Sequence, residues 1–305
     1  MSALFKFAPL LLILVVMLAG IYIVGNILLL RKRIVTARRR SPLSVDLLRP
    51  PGYFISTKLD EVQDDITIWL CLLTIGPLAL YAAHITQSYL MNIPETPARI
   101  IMSVLAGLVF VVFAGWKLFR LVRERENLSL GLEAERAVAE ALNRLMRRGD
   151  FVFHDVPGDG FNIDHVVVSK AGVFAIETKG RAKRISKNGR NEARVWYDGK
   201  RLHFPDRTEV EPLEQAERQA KWLKSWLTRA VGEPVDVCPV VALPGWFVEA
   251  PPNPVMPVIN PKMSESTIYH FGRQRLDQPM MARIAHQLDQ RCRTVSRVLA
   301  PSRSA

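Results

Sequence analysis

Three charged side chains, Asp164, Glu177 and Lys179, sit in a run that otherwise has the composition of β-strands: Phe161-Asn-Ile-Asp-His-Val-Val-Val-Ser-Lys-Ala-Gly-Val-Phe-Ala-Ile-Glu-Thr-Lys179. Two stretches rich in Val, Ile and Phe flank Ser169-Lys170-Ala171-Gly172, and the glycine supplies the positive φ a tight reversal needs, so the run predicts a hairpin. A turn centred between Lys170 and Ala171 sets Val168 against Val173, Val166 against Ala175 and Asp164 against Glu177. Side chains alternate along a strand, which puts Asp164, Glu177 and Lys179 on one face and Val167, Phe174 and Ile176 on the other. Facing carboxylates repel unless positive charge stands between them. A hard divalent cation meets that need: Mg²⁺ takes one or two carboxylates and keeps several waters, with Mn²⁺ as an alternative. Lys179 beside it would orient an attacking water or offset charge on a phosphate. The same spacing also suits a plain Glu177–Lys179 ion pair on a solvated strand, with Asp164 simply opening it.

The flanking segments must position these groups. Leu130 to Met146 has helical periodicity, with Ser129 as a candidate N-cap; Leu128, Leu132, Val138, Ala139, Leu142 and Leu145 form its apolar stripe. Glu135 lies inside that stripe, a costly place for a charge unless it serves a site or pairs with Arg136. Glu133 lies outside the stripe and is the fallback. Phe151 to Val156 predicts a strand whose His154 and Asp155 either join the site as acid, base or outer-shell groups or, as the commoner case, simply end the strand; His165 reads as a packed or hydrogen-bonded histidine rather than a base. Beyond Lys179, a glycine-containing loop carries Arg181, Lys183, Arg184, Lys187 and Arg190, suited to a nucleic-acid backbone or equally to solvent. Val195 to Phe204 predicts a hairpin about Asp198-Gly199. Pro212 opens a helix with Leu213, Ala216, Ala220, Leu223 and Leu227 on one face, and with Gln215 and Gln219 one turn apart. Val235–Leu243 and Val255–Ile259 read as strands and Leu276–Leu299 as a closing helix. This order of elements predicts an α/β sandwich.

Asn162-Ile163-Asp164-His165 followed by Gly172-Val-Phe-Ala-Ile-Glu177-Thr-Lys179 resembles the core of the NERD (nuclease-related) domain, a branch of the PD-(D/E)XK nuclease superfamily. Gly131-Leu-Glu-Ala-Glu135 resembles its helix signature. Pro212-Leu-Glu-Gln215-Ala resembles its downstream N-P-x-x-Q element, with Glu211 where Asn is usual. The resemblance spans about 131–219. It implies a restriction-endonuclease-like fold and an Mg²⁺-dependent cleavage of DNA. Asp164, Glu177 and Glu135 would hold the metal, with Lys179 and Gln215 in the catalytic set. An idle module of the same fold, binding DNA or a protein partner, is the alternative.

The first 125 residues have a different character. Apolar stretches at about 5–30, 66–89 and 100–119 are each long enough to cross a bilayer. Clusters at Arg31-Lys32-Arg33 and Arg38-Arg39-Arg40, and at Lys117, Arg120, Arg123 and Arg125, mark the cytoplasmic side; the loop around Asn92 to Pro97 has no Lys or Arg. Three lipid-embedded helices follow, with the amino terminus outside, a basic cytoplasmic loop at 31–65 and residues 126–305 in the cytosol. The setting expected is a bacterial inner membrane. Asp60-Glu61 and Asp64-Asp65 are placed to cap the second span's first turn or to pair with basic neighbours. No polar path crosses these stretches, which argues against a channel or transporter. Cys71, Cys238 and Cys292 form no C-x-x-C, which argues against a disulfide framework or structural zinc. A formal net charge of +12 fits anionic partners, lipid headgroups and nucleic acid.

Overall fold

The computed structural model describes residues 46–90, 93–183, 193–252 and 254–295. The first predicted span and its basic flank lie outside these residues, as do Arg184, Lys187 and Arg190. The chain divides into a large unit, Arg49–Cys292, and a small one made of Met1–Leu48 with Arg293–Ala305. In the small unit β1 (Leu47–Leu48) pairs antiparallel with β11 (Arg293–Val295). The predicted closing helix therefore stops at Cys292 and gives way to extended chain, rather than running to Leu299.

The large unit opens with an antiparallel helical pair, α1 (Tyr53–Leu90) and α2 (Pro97–Met146). Both are longer than the sequence predicts. Helix α1 starts well before Ile66 because Ile55, Leu59, Val62 and Ile66 already follow helical spacing. Asp60, Glu61, Asp64 and Asp65 accordingly lie along its exposed side and do not cap it. Helix α2 begins with Thr96, whose side chain accepts from the Arg99 N–H, and with Pro97. It then runs 50 residues unbroken, roughly 75 Å at 1.5 Å per residue. The third apolar stretch and the helix carrying Glu135 are thus one rod, and Ser129 is an interior residue, not an N-cap. Val62, Ile66 and Leu121 make the small core between the two helices, with Trp69, Leu118 and Leu128 at its edge. At Gly76 a Cβ would come within 2.3 Å of the Phe110 ring, so this glycine permits the close approach.

A five-stranded sheet of order β10-β8-β4-β3-β2 follows. Its antiparallel part is β2 (Phe151–Pro157), β3 (Asn162–Ser169) and β4 (Gly172–Thr178); β8 (Val237–Ala242) and β10 (Val258–Ile259) extend it in parallel. The β3–β4 register is the one expected from the turn: Val168 faces Val173 and Val166 faces Ala175. Alternation sorts the two cores. Val166, Val168, Val173 and Ala175 pack against α3 (Glu211–Val231) and α5 (Gln278–Cys292). Val167, Phe174 and Ile176 pack with Val138, Leu142 and Leu145 of α2 and with Ile268 of α4 (Ser264–His270). Beside this sandwich lies a four-stranded sheet, β7 (Thr208–Glu209), β6 (Leu202–His203), β5 (Arg194–Tyr197) and β9 (Phe247–Glu249). Its β5–β6 hairpin turns at Asp198-Gly199, where Asp198 Oδ1 accepts from the Lys200 and Arg201 N–H groups.

Candidate active site

The β3–β4 ladder is regular from Ser169↔Gly172 to His165↔Ile176. The next residues along it are Asp164 and Glu177. Here the Thr178 N–H donates to Asp164 Oδ2 at 2.6 Å, fixing one carboxylate oxygen at the strand end. Glu177 is almost fully buried. Its Oε1 meets Lys179 Nζ at 3.0 Å and its Oε2 accepts from Gln219 Nε2 at 2.6 Å. Lys179 Nζ also donates to Gln215 Oε1 at 2.8 Å and lies 3.7 Å from Glu211. Helix α3 thereby presents two glutamines, one turn apart, to consecutive members of the motif. The buried Leu213, Ala216, Ala220, Leu223 and Leu227 fix the rotation that makes this possible.

Glu135 arrives from α2, the layer on the other side of the sheet. It is 6% exposed, and its Oε2 is buried without a hydrogen-bond partner. Burial, with the Asp155 and Glu177 charges added, pushes its carboxyl up to about 8, against the opposing pull of the Gly52 N–H and Lys179. Asp164 is raised well above the carboxylate range, first by desolvation and then by Glu177 and Glu135. Glu177 is raised by burial, opposed by Lys179 and Gln219. Neighbouring carboxylates thus add to burial in raising Glu135 and Asp164, and Lys179 is the cation that opposes the rise. Glu135, Asp155, Asp164, Glu177, Lys179 and Gln215 line one open cleft of ≈ 820 Å³.

Three residues of this site, Arg49, Asn162 and Gln219, have no role assigned by the sequence, and for a fourth, Asp155, the sequence leaves a site role and a plain strand end both open. Asp155 sits at the β2 position across from Asp164, between the pairs His154↔His165 and Val156↔Ile163. It is the one non-glycine residue with positive φ (49°) among the described residues, and it is 3% exposed. Arg49 answers its charge, with Nη1 3.0 Å from Asp155 Oδ2 and 3.2 Å from Asn162 Oδ1. Gln219 Nε2 bonds the Asn162 carbonyl at 3.0 Å, linking Arg49 to Glu177 through Asn162. Asp155, Asn162 in the motif run and Gln219 one turn after Gln215 leave a trace in the sequence; a site role for Arg49 does not.

The other expected residues divide. Arg181 lines the cleft but grips Glu209, with Nε and Nη2 at 3.0 and 2.8 Å, and Lys183 lies over the Trp246 ring at 5.9 Å. Glu133 is exposed on α2. His165 faces away from Asp164, its Nδ1 2.8 Å from His154 Nδ1, and burial drives both rings below their ordinary pKa, His154 to about 4.

The donor types suit a hard cation: Glu135 Oε2 has no partner and Asp164 is bonded through one oxygen. As the side chains stand, no group of three or more His, Cys, Asp or Glu among the described residues is gathered to hold a metal ion. Both Glu177 oxygens are engaged, one by Lys179 and the other by Gln219.

The structure defines a class by its architecture: an α/β sandwich with an acidic pair and a lysine at the edge of an open cleft. Residues 130–244 match the family model described as NERD, Nuclease-related domain, so the chain carries a nuclease-related domain over this part of its length. The match takes in α2 from Leu130 through β8, and with them Glu135, Asp164, Glu177, Lys179 and Gln215; it leaves out Arg49. No curated protein and no solved structure matches the chain.

Proposed function

We propose that this protein is a membrane-anchored, Mg²⁺-dependent nuclease of the restriction-endonuclease-like, PD-(D/E)XK type, hydrolysing DNA phosphodiester bonds in the cytosol. The observation that carries the reading is Lys179, held 3.0 Å from Glu177 and 2.8 Å from Gln215 at a cleft shared with Asp164 and Glu135. Asp164, Glu177 and Glu135 would hold Mg²⁺ or Mn²⁺, which when bound acts as a Lewis acid and lowers the pKa of a water. Gln215 keeps the Lys179 ammonium in place, where it can orient a water and offset negative charge on the phosphate. Gln219 and the Thr178 N–H each fix one oxygen of the carboxylate pair, and Glu177 would exchange its contact with Lys179 for the metal. Arg181 lines the cleft and, with Lys183 and the basic residues that follow it in sequence, would contact the DNA backbone.

The membrane part of the proposal rests on α1 and α2, two helices long and apolar enough to cross a bilayer. Ile101, Met102, Val104, Leu105, Leu108, Val109 and Val112 are all exposed on α2. Leaving such side chains in water costs ~1.5–3 kcal/mol each, so this surface calls for lipid. The basic residues after the apolar part of α2 favour a cytosolic nuclease domain.

A second reading, an idle module that holds DNA or a protein partner at the membrane, is favoured by the closed Lys179–Glu177–Gln219 arrangement. The test uses the full chain in detergent with supercoiled plasmid, in Mg²⁺ and in chelator. Cleavage in Mg²⁺ alone is expected, and Lys179→Ala should reduce it at least ~10³-fold while DNA affinity stays within about threefold. Salt-sensitive DNA binding without cleavage would establish the idle reading instead.

A further inference from the structure

The site has a wall that the nuclease-related domain does not supply. Arg49 and the first turn of α1 line the same cleft as Glu135, Asp164 and Lys179, yet lie some eighty residues before the family match, separated from it along the chain by the apolar stretches of α1 and α2. Arg49 is mostly buried, 16% exposed at its side chain against 4% for Asp155. Its Nη1 reaches three acceptors: Asp155 Oδ2 at 3.0 Å, the Asp155 carbonyl at 3.3 Å and Asn162 Oδ1 at 3.2 Å. Its own N–H is held by the Cys292 carbonyl at 3.1 Å and its guanidinium lies over the Tyr53 ring at 5.4 Å. The Phe54 N–H acts on the Asp155 carboxylate and the Gly52 N–H on Glu135. Gly52 has φ +71°, and a Cβ there would come within 2.2 Å of Leu132 Cδ1 and 3.5 Å of Glu135 Oε2, so only glycine lets the chain lie this close to α2.

Asp155 keeps a left-handed backbone that non-glycine residues seldom adopt. A guanidinium that binds both its carboxylate and its carbonyl secures that conformation. The same nitrogen bonds Asn162, whose carbonyl binds Gln219, whose amide binds Glu177. Arg49 therefore stands at the head of a chain of contacts that ends at the motif glutamate.

We propose that Arg49 is a positioning residue of the active site, acting through Asp155 and Asn162 to set the acidic edge, so that the segment just before the first described apolar helix is part of the catalytic centre. The proposal rests on the nuclease reading for its kinetic consequence. It fits a site that works only when α1 is docked.

The test is a double-mutant cycle on the full chain in detergent, with Arg49→Ala, Asp155→Ala, the double variant and Arg49→Lys, and with Arg283→Ala, of an exposed pair with Glu233, as control. Arg49→Ala is expected to lower kcat at least tenfold with KM for DNA within threefold, since it removes alignment and not a phosphate contact. The double variant should be no worse than Asp155→Ala, and Arg49→Lys should recover part of the loss. Unchanged kcat, a rise in KM alone, or losses that multiply in the double variant would overturn the proposal. Hydrogen exchange is read in parallel on the amides of residues 153–158, which should exchange at least tenfold faster in Arg49→Ala while those of residues 213–227 do not change. If the parent protein cuts no DNA, the nuclease reading fails by itself. Exchange then decides: faster exchange upholds Arg49 as the residue that orders Asp155, and unchanged exchange removes it.

Discussion

Replacing Glu135 by glutamine keeps the side chain's shape and removes its charge, which isolates the electrostatic cost of the acidic cluster. Its carboxyl rises from 4.5 to about 8 in the folded protein, chiefly by burial and then by Asp155 and Glu177. A folded-state pKa above the unfolded one means that the folded chain holds a proton the unfolded chain releases. Stability is therefore fully present below about 4.5 and is lost as pH climbs through about 8. At ~1.4 kcal/mol per pH unit the loss is ~5 kcal/mol if nothing relaxes, and ~2–5 kcal/mol once the open cleft admits water. Glu135→Gln should thus match the parent protein near pH 4.5 and exceed it by that amount at pH 9, in chelator, by denaturant unfolding of the full chain in micelles. Both proteins lose stability with pH because Asp164 and Glu177 are raised too; the difference between them is the quantity to follow. Added Mg²⁺ should narrow the gap at pH 8, because binding to the folded state stabilises the parent more than the variant. A gap that is constant from pH 5 to pH 9 would refute the reasoning, since it would mean that Glu135 ionises as freely in the fold as out of it.

Two further predictions follow from single side chains. Gln219→Leu leaves Glu177 Oε2 and the Asn162 carbonyl without the amide that bonds both, so it should cost ~2–4 kcal/mol in unfolding free energy; a loss under ~0.5 kcal/mol would show that neither bond matters. Leu108→Asp, on the exposed side of α2, should raise the cost of inserting that helix by ~3 kcal/mol and reduce the fraction that survives an alkaline wash of membranes, and undiminished retention would contradict a lipid-facing α2.

The sequence by itself determined what depends on neighbours along the chain. Turn chemistry at Ser169–Gly172 and strict alternation gave the β3–β4 register, and with it the common face of Asp164, Glu177 and Lys179. Helical spacing exposed Glu135 as a charge in an apolar stripe and set the inward face of α3, because both signals recur within one or two turns. Helix ends were less legible. A backbone ladder is indifferent to whether its surface is apolar or charged, so α2 runs straight through the change in composition near residue 120, past Ser129 and through Gly131. What only the tertiary structure decided is the other half of the site. Arg49 meets Asp155 and Asn162 across separations of 106 and 113 residues, and no local pattern pairs groups so far apart. Asp155 stands in a strand whose composition gives no sign of its left-handed backbone. Gln219 takes its role from the helix rotation that core packing imposes. Spacing along a strand can name the acids; which cation, amide or N–H answers each of them depends on how sheet and helices pack, because desolvation and charge act through space.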